Sequence, residues 1–175
     1  VRRVVEKKGV RHLLDPLPAI RAVRPDVTLT VAGFGPEFDD RRAQADALGL
    51  ADLVTFIGAV KQEALPALYQ HAAVFVAPFV QAASGDQDGL GLVLVEALGC
   101  GCPVVVSRLP ATRALVASCQ AVYEAAPADV DSLAQSVLRA LDAPASPRAQ
   151  DIAHFDWRAR AGGYAGLLAL AVGRP

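Results

Sequence analysis

The chain is short of lysine and cysteine and has no long apolar run. Among its 17 basic residues only Lys7, Lys8 and Lys61 are lysines, and 18 acidic residues leave a formal charge of −1. That balance gives no general polyanion-binding face, so composition does not point to nucleic acid as a partner. No stretch reaches the roughly 18 uninterrupted apolar residues that span a bilayer, and no basic segment followed by an apolar one opens the chain. Cys100, Cys102 and Cys119 are odd in number and contain no CxxC. They imply neither a disulfide framework nor a zinc knuckle and read as small buried thiols of a reducing cytosol. His12, His71 and His154 have no metal-ligand spacing. Ser84 and Ser107 lack the G-x-S-x-G context of a nucleophile elbow. What remains is 175 residues, 53% apolar and 20% charged, enough for one folded domain with a full core.

The apolar pattern alternates between strand and helix about six times. Val1 to Val5 reads as a short strand, followed by the polar turn Glu6-Lys7-Lys8-Gly9. Val10, Leu13, Leu14, Leu17, Ile20 and Val23 recur at spacings of three and four, which predicts one helix ended by Pro25. Val27 to Ala32, Val54 to Ile57, Val74 to Pro78, Pro103 to Val106 and Ala121 to Tyr123 read as strands. Pro36 and Pro110 each open a helix, and further helices are expected over Glu63 to His71, Leu92 to Leu98 and around Leu133 to Leu141. Pro144 to Pro147 is a linker, after which Phe155-Asp156-Trp157 leads into a terminal helix through Tyr164, Leu167, Leu168 and Ala171. This is the α/β pattern of a doubly wound, Rossmann-like parallel sheet, which binds ligands at the carboxyl ends of its strands.

Three segments carry chemistry. Asp88 and Glu96 stand eight positions apart in a run otherwise made of glycine and apolar residues. At 1.5 Å per helical residue they lie up to ~12 Å apart, and a carboxylate among apolar neighbours needs a definite partner. Two readings fit: the pair accepts hydroxyls of a sugar and a ribose, with Gly89 to Leu92 offering N–H groups at a helix N-terminus, or Asp88 caps the helix and Glu96 pairs with an arginine. Arg3 and Lys8, around the end of the first strand, would together neutralise a diphosphate and the charge it develops as a leaving group. Alternatively they are solvated charges. Gly33-Phe34-Gly35-Pro36 sits between strand and helix but has neither a third glycine nor a Walker lysine. It reads as a tight turn letting backbone approach a base or sugar.

Taken in order, these segments resemble a known family. Arg3-Val4-Val5-Glu6-Lys7-Lys8-Gly9 is similar to the G-R-L-x-x-x-K-G opening of the second domain of GT-B-fold, group 1 retaining glycosyltransferases. Val31 to Pro36 resembles the family's V-G-x-G-P, Val54 to Val60 its V-x-F-x-G-x-V, and Asp88 to Val105 its E-x7-E segment running into E-A-x-A-x-G-x-P-V-V. Phe155-Asp156-Trp157 resembles its F-x-W. The resemblance implies the C-terminal, donor-binding half of a two-domain enzyme that moves a hexose from a nucleotide-diphosphate sugar to an acceptor. Arg3 and Lys8 would contact the diphosphate, Asp88 the transferred sugar and Glu96 the ribose. Gly89, Leu90 and Gly91 would offer backbone contacts, Ile57, Gly58 and Ala59 would lie beside the base, and Gly33 and Gly35 would border the crevice. Such enzymes keep anomeric configuration and need no bound metal or other cofactor.

The sequence departs from the family at Asp88, one methylene shorter than the usual glutamate, and at Gly91, where a common proline gives way to a residue expected to loosen the loop. Residues 1–150 are expected to form the donor domain and 151–175 a C-terminal helix segment, with the N-terminal acceptor domain absent. The chain alone is then expected to bind nucleotide without transferring sugar. Its partners would be the nucleotide-sugar donor and, through the missing domain, a carbohydrate or glycolipid acceptor. A cytoplasmic location follows from the donor class, with peripheral membrane contact for the full enzyme. The competing readings are a non-catalytic nucleotide-binding or interaction domain and a sugar-nucleotide epimerase or phosphorylase of the same fold.

Overall fold

The computed structural model describes residues 3–155. Among these described residues five short strands lie in two parallel sheets: β1 (Leu29–Ala32) beside β2 (Val54–Gly58), and β3 (Phe75–Ala77), β4 (Val104–Ser107) and β5 (Val122–Ala125) in the order β3-β4-β5. Parallel neighbours cannot be joined by a tight turn, so helices make the connections. The segments α1 (Val10–Leu14) and α2 (Leu17–Val23) precede β1, and α3 (Phe38–Ala47) joins β1 to β2. Then α4 (Leu65–His71), α5 (Leu92–Gly99) and α6 (Arg113–Ser118) carry the chain from β2 to β5, and α7 (Val130–Asp142) and α8 (Ala149–Ile152) follow.

Side chains alternate across a strand, and β4 shows the result. Val105 faces one core with Leu14, Leu17, Ile20, Leu133 and Val137, while Val104 and Val106 face a second core with Leu65, Leu94, Leu98 and Leu115. Every residue of β4 is buried, which is why its sequence is nearly all valine. The first core also joins the two sheets, because Val31, Leu53 and Val54 pack in it with α7. This is the doubly wound α/β architecture expected.

Several boundaries differ from expectation, mostly at prolines. The helix predicted from Val10 to Val23 is two pieces, because Pro16 and Pro18 lack N–H groups that an unbroken helix would need. Their apolar stripe still buries Val10, Leu13, Leu14, Leu17 and Ile20, but Val23 is exposed. The helix after Pro36 starts only at Phe38, and 3-10 turns at Gln62–Ala64 and Pro110–Thr112 lead into α4 and α6. Within Arg3 to Val5 there is no strand, only an isolated parallel bridge between Arg3 and Phe34. Val1, Arg2, Asp156, Trp157 and the helix predicted through Tyr164 and Ala171 lie outside the described residues.

Candidate functional site

The segment Arg3 to Gly9 runs across the carboxyl ends of β1 and β3. At one side the Val4 N–H donates to the Phe34 carbonyl at 3.1 Å, and at the other the Val80 N–H donates to the Lys7 carbonyl at 3.1 Å. Glu6–Lys8 is a 3-10 turn closed by Gly9 at φ 68°, a left-handed conformation that glycine takes without strain. A Cβ on Gly9 would also collide with the Pro78 carbonyl, and one on Gly35 with the backbone of Val4. Gly35 therefore uses its missing side chain to admit the protein's own Val4 backbone.

The polar loop from Phe79 to Asp88 is pinned onto this segment. Ala83 N–H donates to Glu6 Oε1 at 3.0 Å, Lys7 Nζ pairs with Asp86 at 2.9 Å and lies 3.6 Å from Asp88, and Lys8 Nζ pairs directly with Asp88. The Lys8 and Asp88 side chains are mostly buried, 18% and 12% exposed. Lys8 Nζ also stands 4.8 Å from the centre of the Phe79 ring, which adds a cation–π attraction. The Asp86 hydrogen bond raises the Lys7 pKa above the ordinary lysine value, while Lys7 holds the Asp86 carboxyl below the usual carboxylate range. A cavity of about 490 Å³ lies here, and its charged lining is Arg3, Glu6, Lys7, Lys8, Asp86 and Asp88.

Helix α5 starts at Leu92, with Gly91 as its N-cap and no side-chain cap. Asp88 therefore does not cap it, and among the described residues Glu96 pairs with no arginine. Glu96 Oε2 instead accepts from the Tyr69 hydroxyl at 3.3 Å. Burial, and then the neighbouring Glu96 charge, pushes the Tyr69 phenol far above its ordinary pKa, so it remains a donor. Gly91 has φ 69°, and a Cβ there would stand 3.0 Å from Phe79 Cε2. The glycine at this position is thus not a loosened proline. It is the residue that allows a left-handed turn packed on the ring beneath Lys8.

The comparisons agree on one family. The profile described as glycosyl transferases group 1 matches residues 1–143. The chain belongs to the group 1 glycosyltransferases. It is 33% identical over 174 residues to the GDP-mannose-dependent alpha-(1-6)-phosphatidylinositol monomannoside mannosyltransferase of Mycolicibacterium smegmatis, covering 95% of this chain and 46% of that protein. The chain thus spans about half the length of that curated relative. Its fold matches the C-terminal domain of the group 1 protein LpcC from Francisella tularensis with a TM-score of 0.68, at 19% identity and over 81% of this chain and 73% of that one. It matches Anabaena HepE, solved in complex with UDP, with a TM-score of 0.80 at 23% identity, over 95% of this chain and 46% of that one. The fold is that of the C-terminal half of a GT-B glycosyltransferase.

Within this group 1 domain, the cavity collects Arg3, Lys8 and Asp88. Its lining does not include Gly33, Gly35, Ile57, Gly58, Ala59, Gly89, Leu90, Gly91 or Glu96. Arg3 is exposed, Gly33 is tied through its N–H to the Gly58 carbonyl at 2.7 Å, and Ile57 is exposed at the end of β2. Sequence reasoning passed over Lys7, Asp86 and Tyr69. Lys7 and Asp86 each sit within two positions of a residue that it did select. Tyr69 carried no local signal, since its partner is 27 positions away. Cys102 and Cys119 are buried free thiols and Cys100 is half-buried, with burial raising Cys102 to about 11. Among the described residues no cluster of three or more His, Cys, Asp or Glu is placed to hold a metal ion, and no helix is long and apolar enough to cross a membrane.

Proposed function

We propose that this chain is the donor-binding domain, residues 1–150 with 151–175 as its C-terminal helical segment, of a retaining hexosyltransferase using a nucleotide-diphosphate sugar. The observation that carries the reading is the convergence of Lys8, Lys7, Asp88 and Arg3 on one cavity beside the strands' carboxyl ends. Lys8 and Arg3 bind the diphosphate and stabilise the negative charge that grows on it as the bond to the sugar breaks. Asp88 orients Lys8 and, as the diphosphate takes up the ammonium, turns its free acceptor capacity to sugar hydroxyls. Glu96, aimed by the Tyr69 hydroxyl, accepts the ribose hydroxyls, and the N-terminus of α5 presents N–H groups to phosphate or sugar oxygens. Gly33, Gly35 and Ile57 to Ala59 border the base, and Gly89 to Gly91 the sugar and phosphate.

The acceptor, a carbohydrate or glycolipid hydroxyl, is held by a further domain of the whole enzyme, so this chain binds nucleotide and transfers nothing alone. The whole enzyme works in the cytoplasm, in peripheral contact with the membrane where its acceptor is lipid-borne. Calorimetric titration with UDP, GDP and ADP tests the reading, and Glu96→Ala and Lys8→Ala are titrated in parallel. One nucleotide binds, both variants lose ~10-fold or more, as loss of a hydrogen bond to a charged group does, and the chain shows no transfer. Absence of binding by any of the three would overturn the reading, and sugar transfer by the chain alone would overturn the division of labour.

A further inference from the structure

An acid that lines a site for an anion needs a reason to be there, because its carboxylate repels the ligand. Asp86 and Asp88 have theirs in Lys7 and Lys8. Glu6 lines the same cavity, is exposed, and pairs with no cation among the described residues. Its Oε1 instead accepts the Ala83 N–H at 3.0 Å, from a residue 77 positions away. Ala83 belongs to a small unit closed on itself. The Ala82 N–H donates to the Asp86 carbonyl and the Gly85 N–H to the Ala82 carbonyl, each at 2.8 Å, and the Asp86 N–H reaches Ser84 Oγ at 3.4 Å. Residues 82–86 therefore move as one body, a strap whose far end lies two positions before Asp88.

Among the described residues two ties join this strap to the segment Arg3 to Gly9: Glu6 at Ala83 and Lys7 at Asp86. They respond differently to a phosphate. Lys7 Nζ, 2.9 Å from Asp86 and 3.6 Å from Asp88, is an ammonium for which a diphosphate in the cavity competes, and so is Lys8 Nζ on Asp88. The Glu6–Ala83 bond contains no cation for the ligand to draw away. We propose that Glu6 is a positioning residue for Asp88, holding the strap in place once the donor has taken the lysines. The proposal rests on the donor-site reading above. In that bound state Asp88 has lost its lysine partner, so its backbone alone sets where its carboxylate meets the sugar. That backbone follows directly from the unit that Glu6 anchors. Glu6 touches neither phosphate nor sugar and acts through the strap.

The test titrates the 175-residue chain with UDP and UDP-glucose, GDP and GDP-mannose, and ADP and ADP-glucose. The pair that binds is then titrated into Glu6→Ala and Glu6→Gln. The readout is the ratio of the two affinities, which largely cancels the loss of one negative charge that both variants share. Glu6→Ala shifts the ratio against the nucleotide sugar by ~3- to 10-fold, the worth of one hydrogen bond. Glu6→Gln keeps an acceptor oxygen and with it the parent ratio. Hydrogen exchange at the Ala83 amide of the parent is no faster with saturating nucleoside diphosphate than without it, whereas in Glu6→Ala it is faster in both states. An unchanged ratio in Glu6→Ala, equal shifts in the two variants, or faster Ala83 exchange in the parent on nucleotide binding would overturn the inference and leave the donor site standing. Failure of every nucleotide to bind the parent would overturn the donor site and the inference together.

Discussion

Lys8 is fixed by three different forces: the carboxylate of Asp88, the face of Phe79, and the turn that Gly9 closes behind it. Lys7 and Asp86 are more exposed and pair beside it, with Lys7 also within 3.6 Å of Asp88. Replacing Asp86 by Asn removes a carboxylate that competes for Lys7. It should raise affinity for a nucleoside diphosphate severalfold at most, as measured by titration, since an exposed pair is worth little. Tyr69→Phe should weaken nucleotide binding less than Glu96→Ala does, because it only frees a carboxylate that still accepts. Asp151 gives a pH test away from the site. Arg148 holds its carboxyl below the usual range through two hydrogen bonds at 2.9 and 3.2 Å. Its contribution to stability is complete above the unfolded value of about 3.9 and is lost as the pH falls through the lower folded value. Asp151→Asn should therefore show a shallower fall in Tm than the parent as the pH drops below about 4, read by calorimetry. At this scale the sequence displayed Lys8, Asp88 and Glu96 but hid their partners. The Lys8–Asp88 pair joins positions 80 apart, and nothing local announces such a contact.

Helices and strands were legible wherever a stripe of apolar residues met an unambiguous stop. β4 and α7 fell close to their predicted places because valine runs and a capped amphipathic stripe leave few alternatives. Asp129 accepts from the Ser132 N–H at 2.8 Å to start α7. The stretch around Pro16 and Pro18 was less legible, because apolar periodicity survives a break that the backbone does not. Two glycines matter at this level. Gly9→Ala adds a Cβ at positive φ that collides with Pro78 and should cost more than ~1–2 kcal/mol, the strain of the left-handed conformation alone. Gly91→Ala meets the Phe79 ring at 3.0 Å and should cost stability too, while also disturbing the base under Lys8. Denaturant titration measures the first effect, and nucleotide titration of the folded variant separates the second.

At the largest scale the described residues form two cores on opposite faces of the β3-β4-β5 sheet, with β4 buried between them. Hydrogen exchange should accordingly be slowest at Val104 to Val106 and faster in α3, where Ala45 alone is buried. The alternation of elements displayed this layout in advance. What it could not display was the split into two sheets, since strand pairing depends on which edges meet in space and not on local pattern. The near-neutral total charge recurs inside the crevice, where Arg3, Lys7 and Lys8 are matched by Glu6, Asp86 and Asp88. On the proposed reading an incoming diphosphate would trade places with resident counter-ions instead of filling a bare positive hole. A crevice balanced in this way would exert little long-range pull on simple anions, and its proposed hold on a donor would depend only weakly on ionic strength.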